Sequence, residues 1–573
     1  MRSAQQQPQH PGMSSIPPAL LLLLPAEVGL ACCRLFLSLR WLPQVVHQAL
    51  EVMLQQPLPE AWDVKTLCSL LQVSTACRKA VFDSGVSCAL SPRHFSALDS
   101  SAASVLRIMG FASWLPSHAP LVCSLELSAP RTAADTAVAE HLLTLAVKLC
   151  AQQQVSPTQA LTPTGLIQPL AGLRLQSLTG NMLLQPAALA ALASCSHLTN
   201  LCWQRPVGLS TPVLHALGHF TGLKVLELHL SAGGLSQQES THLSASLAKL
   251  EQLEAFECMG SGRVALACLP QLPCSLVRLT VAFRASTSAD AAGTFDVGHL
   301  TNLQQLSVGW LGHGSVATVF PPSLSRLSVI GRPIGAGVQS LPQLDYLDML
   351  VDFSQPSLLQ HVHRMPLLRT LVLGLRLVGG KLTDLSEGHA QVIAAALAAA
   401  TQVTCLEIYR DQADSSLNSW RENDAVLLLR SSLQQMRRLG SLVVEGICLD
   451  TKDVLGWTAL SALTSLTVAE CSGFTDTAVA ALACKLPGLQ HLEVHKCGLS
   501  SPVLWPALAC CTGLVHLELR GHSAPLEDET LLYLTSLARL TLLVLHGSNH
   551  VALSLAAVQQ FRAAMPQLGE WLG

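Results

Sequence analysis

Aromatic residues make up only 4% of this chain, and charged residues only 12%. So few rings argue against a surface that stacks bases or sugars, because such surfaces are built from aromatic platforms. The charges nearly cancel, with 34 Lys and Arg against 37 Asp and Glu and a net charge of -3. That balance gives no sign of a general nucleic-acid binder. The 19 cysteines contain no C-x-x-C pair and their number is odd, and no N-x-S/T acceptor occurs. These absences favour a reducing, intracellular setting over a secreted disulfide scaffold. The cytoplasm is the expected location, with the nucleus, the cytoskeleton or a ciliary axoneme left open.

The chain also lacks G-x-x-x-x-G-K-S/T, G-x-S-x-G, H-E-x-x-H and G-x-G-x-x-G. Without a motif that sets a nucleophile beside a base or cradles a phosphate, neither catalysis nor a cofactor is expected. A long apolar run is missing too. Leu20 to Leu24 is followed by Pro25, Glu27, Arg34 and Arg40, whereas a spanning helix needs about 20 apolar residues. A soluble chain without membrane contact is the first expectation; a cryptic signal or anchor is the alternative.

What is abundant is leucine in a fixed phrase, L-x-x-L-x-x-L-x-L. It appears as TGLKVLEL around Leu226, LPQLDYLDM around Leu347, LPGLQHLEV around Leu492 and CTGLVHLEL around Leu517. The first leucine of each L-x-L, or its stand-in, falls at 226, 256, 279, 306, 327, 347, 371, 406, 442, 466, 492, 517 and 543, with Phe256 replacing leucine. Looser copies precede these at Leu125, Leu178 and Leu201. Recurrence at 20 to 36 residues marks a solenoid, whose repeats bury a continuous core by stacking. Two spacings are longer than the rest. One holds the helical insertion GHAQVIAAALAAAT; the other holds the polar stretch RDQADSSLNSWREND, then AVLLLRSSLQQMRRL with helical periodicity. The charged loop 410–424 is a candidate contact by its place inside the array, although a disordered surface loop is the first expectation.

The expected fold is therefore α/β: a horseshoe with a parallel concave sheet and a mixed helical and irregular convex side. Residues 1–18 read as a disordered tail and 19–117 as a helical module, from VVHQALEVMLQQ and VKTLCSLLQVSTACRKAVF. Residues 118–564 read as the solenoid and 565–573 as its C-terminal cap.

In such a strand alternate residues face opposite sides. The central concave column then holds Glu227, Glu257, Asp348, Glu407, Glu493 and Glu518 and no Lys or Arg. Neighbouring strands lie about 4.8 Å apart, where two carboxylates in water repel by about 0.9 kcal/mol. A partner protein with a basic segment would relieve that repulsion; ordinary solvation of exposed glutamates is the other reading. His491, His495, His516 and Arg520 flank the last two glutamates, with His546 following. They suggest a polar, pH-sensitive recognition surface. No metal site is expected. His491 and His516 share one column, but His495 lies four residues along an extended strand, and His361-Val-His363 is a weaker signal still. Cys405, Cys471, Cys484 and Cys497 are expected to be small buried hydrophobes.

The repeated phrases over about 118–573 resemble the leucine-rich repeat family. The stretch LTSLTVAECSGFTDTAVAALACKLPGLQHLEVHKC resembles its cysteine-containing subtype, with Cys471 and Cys497 at matching positions and Thr475-Asp476 opening the helix. That subtype is common in proteins that also carry an F-box. Leu42, Pro43, Val46, Leu50 and Leu54 resemble the first part of an F-box, and Leu67, Leu70, Val73, Ser74 and Arg78 the second. Cys77 stands where that family usually has Trp, and Val45 where it often has Glu. A competing start lies at Leu24-Pro25-Ala26-Glu27-Val28. The phrase FASWLPSHAPLVCSLELS resembles the link between head and first repeat in green-algal repeat proteins. The resemblance implies a non-catalytic, monomeric substrate-recognition subunit of a cullin-based ubiquitin ligase, whose partners are the ligase adaptor, the cullin and a target. A helical cap on a scaffold protein, for example of the cytoskeleton or ciliary axoneme, is the alternative.

Overall fold

The computed structural model describes residues 88–90, 112, 115, 122–127 and 133–152. From 175 to 572 it describes all but 181–184, 194, 196, 208, 231–234, 262–265, 285–294, 311–317, 331–340, 353–355, 377–386, 411–431, 450 and 548–552. The F-box-like positions Leu42 to Arg78, the N-terminal tail and most of the 410–424 loop lie outside the described residues. Among the described residues, no helix is long and apolar enough to cross a membrane.

The chain divides after Trp203 into two compact units. In the first, strands β1 (Cys88–Leu90), β2 (Val122–Leu127), β3 (Ser177–Gly180) and the first half of β4 (Asn200–Val207) pair in sequence order and all in parallel. Leu125, Leu178 and Leu201, the loose copies of the phrase, sit opposite one another and are buried. Helices Ala133–Gln152 and Pro186–Leu192 connect these strands. A strand at Cys88–Leu90 departs from the helical reading of 19–117. Its three residues pair with β2.

In the second unit the same rule runs longer. The strands are β5 (Val225–Leu230), β6 (Ala255–Ser261), β7 (Arg278–Arg284), β8 (Phe295–Asp296), β9 (Gln305–Trp310), β10 (Thr318–Val319), β11 (Arg326–Ile330) and β12 (Tyr346–Asp352). They continue through β13 (Thr370–Arg376), β14 (Cys405–Arg410), β15 (Ser441–Glu445), β16 (Ser465–Ala469), β17 (His491–His495), β18 (His516–His522), β19 (Leu542–Gly547) and β20 (Glu570–Leu572). β8 and β10 form a separate parallel pair. Each of the others pairs in parallel with the next of that ladder. The motif positions Leu226, Phe256, Leu279 and onward to Leu543 all stand in one register row. Trp571, in the segment read as a cap, continues the row opposite Leu543.

The spacing of the phrase follows from its backbone. Its first two apolar positions close a turn, in which the amide of the second donates to the carbonyl of the first. Examples are Leu223 N to Phe220 O at 2.9 Å, Leu489 N to Leu486 O at 3.1 Å and Leu514 N to Cys511 O at 2.9 Å. The last two, such as Leu492 and Val494, are the inward residues of the strand and are buried. A fully buried leucine contributes about 2 kcal/mol, so every rung holds its place by its own apolar residues.

One carbonyl just before each strand accepts two amides from the next rung. Gly440 O takes Thr464 N at 2.8 Å and Ser465 N at 3.0 Å; Thr464 O takes Gln490 N and His491 N; Gln490 O takes Val515 N and His516 N. The two long spacings leave this pattern intact, since Arg369 O still accepts Thr404 N and Cys405 N, and Thr404 O still accepts Gly440 N and Ser441 N. The first of these spacings contains the expected helix, Glu387–Ala399.

Helices return the chain between rungs, and helices of successive repeats pack on one another from Thr451–Trp457 to Leu555–Ala564. Asp476–Lys485 starts where Thr475-Asp476 predicts, with Thr475 as its N-cap. The buried Asp476 reaches forward: its Oδ2 accepts Ser500 N at 3.1 Å and Ser501 N at 3.0 Å, tying one repeat to the next. Just past β15, β16 and β17, and at the register shift near the end of β18, Gly446, Glu470, Lys496 and Gly521 follow one another at equivalent positions, each with positive φ. The fold is a leucine-rich repeat solenoid.

Candidate functional site: the open face of the sheet

Side chains flanking the inward leucines form the opposite, open face of the sheet. The central column has the composition expected from the sequence. Glu227 stands opposite Glu257, and Glu493 opposite Glu518. Asp348 and Glu407 lie on either side of Val372.

Burial pushes the Glu257 carboxyl above its ordinary value, and the Glu227 carboxylate pushes it further; His229, 3.9 Å away, acts in the opposite direction. Glu407 is raised by burial first, then by Asp348 and Glu445. Asp348 is raised by burial, against a hydrogen bond donated by Ser328 Oγ at 2.7 Å. In these two places, partly buried carboxylates on the sheet face are raised by burial first, and Glu257 and Glu407 also by a neighbouring carboxylate.

The face is not acidic throughout. The column on the N-terminal side of the central one places Arg278 and Arg326 there, and the Arg326 guanidinium lies 5.7 Å from the centre of the Tyr346 ring. On the other side, Tyr409 and Glu445 stand in register. Gly374 leaves room for Tyr409, since a side-chain carbon there would come within 2.8 Å of its ring. Reading the central column alone missed Arg326, Tyr346, Tyr409 and Glu445. They lie two residues from the central column in the same alternation, which is the signal that finds them.

The C-terminal end differs most from the sequence reading. Glu518 is only 8% exposed, although it belongs to the open face. Arg520 Nε contacts its Oε1, His495 Nε2 lies 3.0 Å from the same oxygen, and His516 Nε2 lies 3.5 Å from Oε2. At Glu518, then, the relief expected from a partner's positive charge already comes from within the chain. His491 and His516 share a register column and meet edge to face, with ring centres 5.9 Å apart. The donors that converge are not these two histidines: His516 comes together with Glu493 and Glu518 instead. His495 is outside that trio but touches Glu518 from the diagonal position. His546 stands opposite Arg520 on β19.

The cysteines divide. Cys471 and Cys497 are buried, as expected, and occupy equivalent places: Cys471 Sγ lies 3.5 Å from Val444 O, and Cys497 Sγ 3.6 Å from Val468 O. Burial pushes the Cys471 thiol up to about 12 and the Cys497 thiol up to about 11. Cys405 is half-buried. Cys484 corrects the expectation, because it lies on the outer side of Asp476–Lys485 and is exposed.

No family model matches the chain, and no curated protein matches it. Among solved structures, it is similar to an internalin (InlF) from Listeria monocytogenes str. 4b F2365, at 14% identity and a TM-score of 0.30, over 66% of this chain and 81% of that one. It is also similar to the structure of a TLR13–ssRNA13 complex, at 14% identity and a TM-score of 0.35, over 68% of this chain and 65% of that one.

Proposed function

We propose that the open face of the repeat array is a docking surface for a protein segment rich in Lys and Arg. The observation that carries this reading is the crowding of carboxylates on that face at Glu227 with Glu257, and at Asp348 with Glu407 and Glu445. A bound cation would lower the free energy of each group, and a partner with several cations in an extended segment could reach both places along one sheet. Electrostatic contacts of this kind fall off as salt rises.

The experiment is capture of binding proteins at low and at high salt, with the intact chain and with Glu257→Lys and Glu407→Lys. The expected result is retention at low salt, loss at high salt and loss in both variants. Binding that ignores salt and both substitutions would end this reading. Glu518→Lys is a poor probe, because Glu518 is already engaged by Arg520.

The sequence supports a narrower reading, a substrate receptor of a cullin-based ubiquitin ligase. Its basis is the F-box-like set Leu42, Pro43, Val46, Leu50, Leu67, Leu70, Val73 and Arg78. In this reading the array holds the target and the head docks the ligase adaptor, which raises the effective concentration of target lysines near the ligase. Co-purification with adaptor and cullin, lost on Pro43→Asp and Val73→Asp, is the expected result. Co-sedimentation with a cytoskeletal fraction and no adaptor would favour the scaffold reading instead.

A further inference from the structure

We propose that Glu493, His516 and Glu518 form a binding site for one divalent transition-metal ion of the zinc class, on the open face across β17 and β18. The proposal is independent of the docking surface proposed above.

The donors come from two adjacent strands in fixed register, with Glu493 directly opposite Glu518 and His516 two residues before Glu518. His516 Nε2 lies 3.5 Å from Glu518 Oε2 and 3.9 Å from Glu493 Oε1. One donor atom from each of the three residues lies within 4.8 Å of the other two. Zinc holds nitrogen and oxygen at about 2.0–2.2 Å, so neighbouring donors of a tetrahedral site stand about 3.3–3.5 Å apart. One contact already matches that spacing; the others, at 3.9 Å and within 4.8 Å, shorten when an ion binds.

A second observation points to a ligand. The His516 Nε2 atom is shielded from solvent and has no hydrogen-bond partner among the described residues, although two carboxylates face it. A buried ring nitrogen normally donates or accepts a hydrogen bond, or binds a metal.

The surroundings hold the donors as the outer groups of a metal site do. Each carboxylate is anchored by one oxygen and offers the other. Glu518 Oε1 is taken by Arg520, which leaves Oε2 toward His516. Glu493 Oε2 accepts the Thr467 hydroxyl at 3.3 Å, which leaves Oε1 toward His516. Two carboxylates and one imidazole, with no thiolate, suit zinc, cobalt or manganese rather than copper(I). Three protein donors leave a fourth position for water or for a group from another molecule.

The test uses the full chain, freed of metal by a chelator. It is titrated with Co2+ followed by visible absorption, and with Zn2+ by competition against a chromophoric chelator. The expected result is one ion per chain and a Co2+ spectrum of low coordination number. Binding should be lost in His516→Ala and Glu493→Gln and kept in His229→Ala, with circular dichroism showing that all three variants are folded. Thr467→Val removes only the hydroxyl that orients Glu493 and should weaken binding about 10-fold, the size of effect that outer groups have on metal sites. Absence of binding in the intact chain, or binding that His516→Ala leaves unchanged, would overturn the proposal.

Discussion

Glu470 and Lys496 sit at equivalent places on successive rungs, both with left-handed backbone, φ 51° and 50°, and their side chains pair at 2.7 Å. Glycines take the matching places before and after them, Gly446 at φ 70° and Gly521 at φ 67°. Left-handed backbone costs an ordinary residue about 1–2 kcal/mol, and an exposed ion pair returns less than that. Glu470→Gly should therefore hold or raise the melting temperature. Glu470→Val should lower it, because a β-branched residue is a poor fit to this conformation. Thermal unfolding of the two variants checks the pair of outcomes, and a fall in both would show that the ion pair outweighs the backbone.

Asp476 links two repeats through Ser500 N and Ser501 N. Hydrogen bonds to a charged group contribute about 1.5–3 kcal/mol. Asp476→Ala is expected to cost about 2–3 kcal/mol in denaturant unfolding, whereas Asp476→Asn, which keeps an acceptor oxygen, should cost less. Equal losses in the two variants would mean that the side chain acts by packing.

Glu407 binds its proton more tightly in the folded chain than in the unfolded one, since burial, Asp348 and Glu445 all raise it. Where the folded state holds more protons, stability falls as pH rises. This loss begins near the ordinary glutamate value and is complete above the raised one. Glu407→Gln should remove that part of the slope, so its stability gain over the parent is largest at neutral pH and vanishes in acid. Melting temperatures of parent and variant across that range test the sign.

Burial pushes the thiols of Cys258, Cys471 and Cys511 up to about 12. At pH 8 only about one such thiol in ten thousand is ionised, and the thiolate is the reactive form. Cys274, Cys484 and Cys510 are exposed. Alkylation of the native chain, read residue by residue by mass spectrometry, should label these three quickly and the buried three only after unfolding.

The ladder was legible in the sequence because one residue type does one job at a recurring position: the motif residues from Leu226 to Leu543, with Phe256 as stand-in, are inward and buried in one register row. The acidic column was legible for the same reason, through the alternation of a strand. The fate of Glu518 was not. Whether a glutamate faces water or its neighbours depends on how His516 and Arg520 fold back along its own strand and how far His495 reaches across from the neighbouring one, and the alternation of a strand does not encode that. Reading His516 by its column favoured His491 as partner; instead Glu493, on the diagonal of the neighbouring strand, and Glu518, two residues along the same strand, come together with His516. Cys484 shows a similar limit. In a ten-residue helix, one step of phase separates a buried thiol from an exposed one.

The carbonyl that accepts two amides from the next rung separates the length of a connection from the alignment of what it connects. Arg369 O and Thr404 O make their paired bonds across the two longest spacings as Gly440 O and Thr464 O do across ordinary ones. Residues can thus be gained between rungs without shifting any side chain on the sheet. A gene under selection could lengthen the outer segments freely, and the order of charges along the open face would be inherited unchanged.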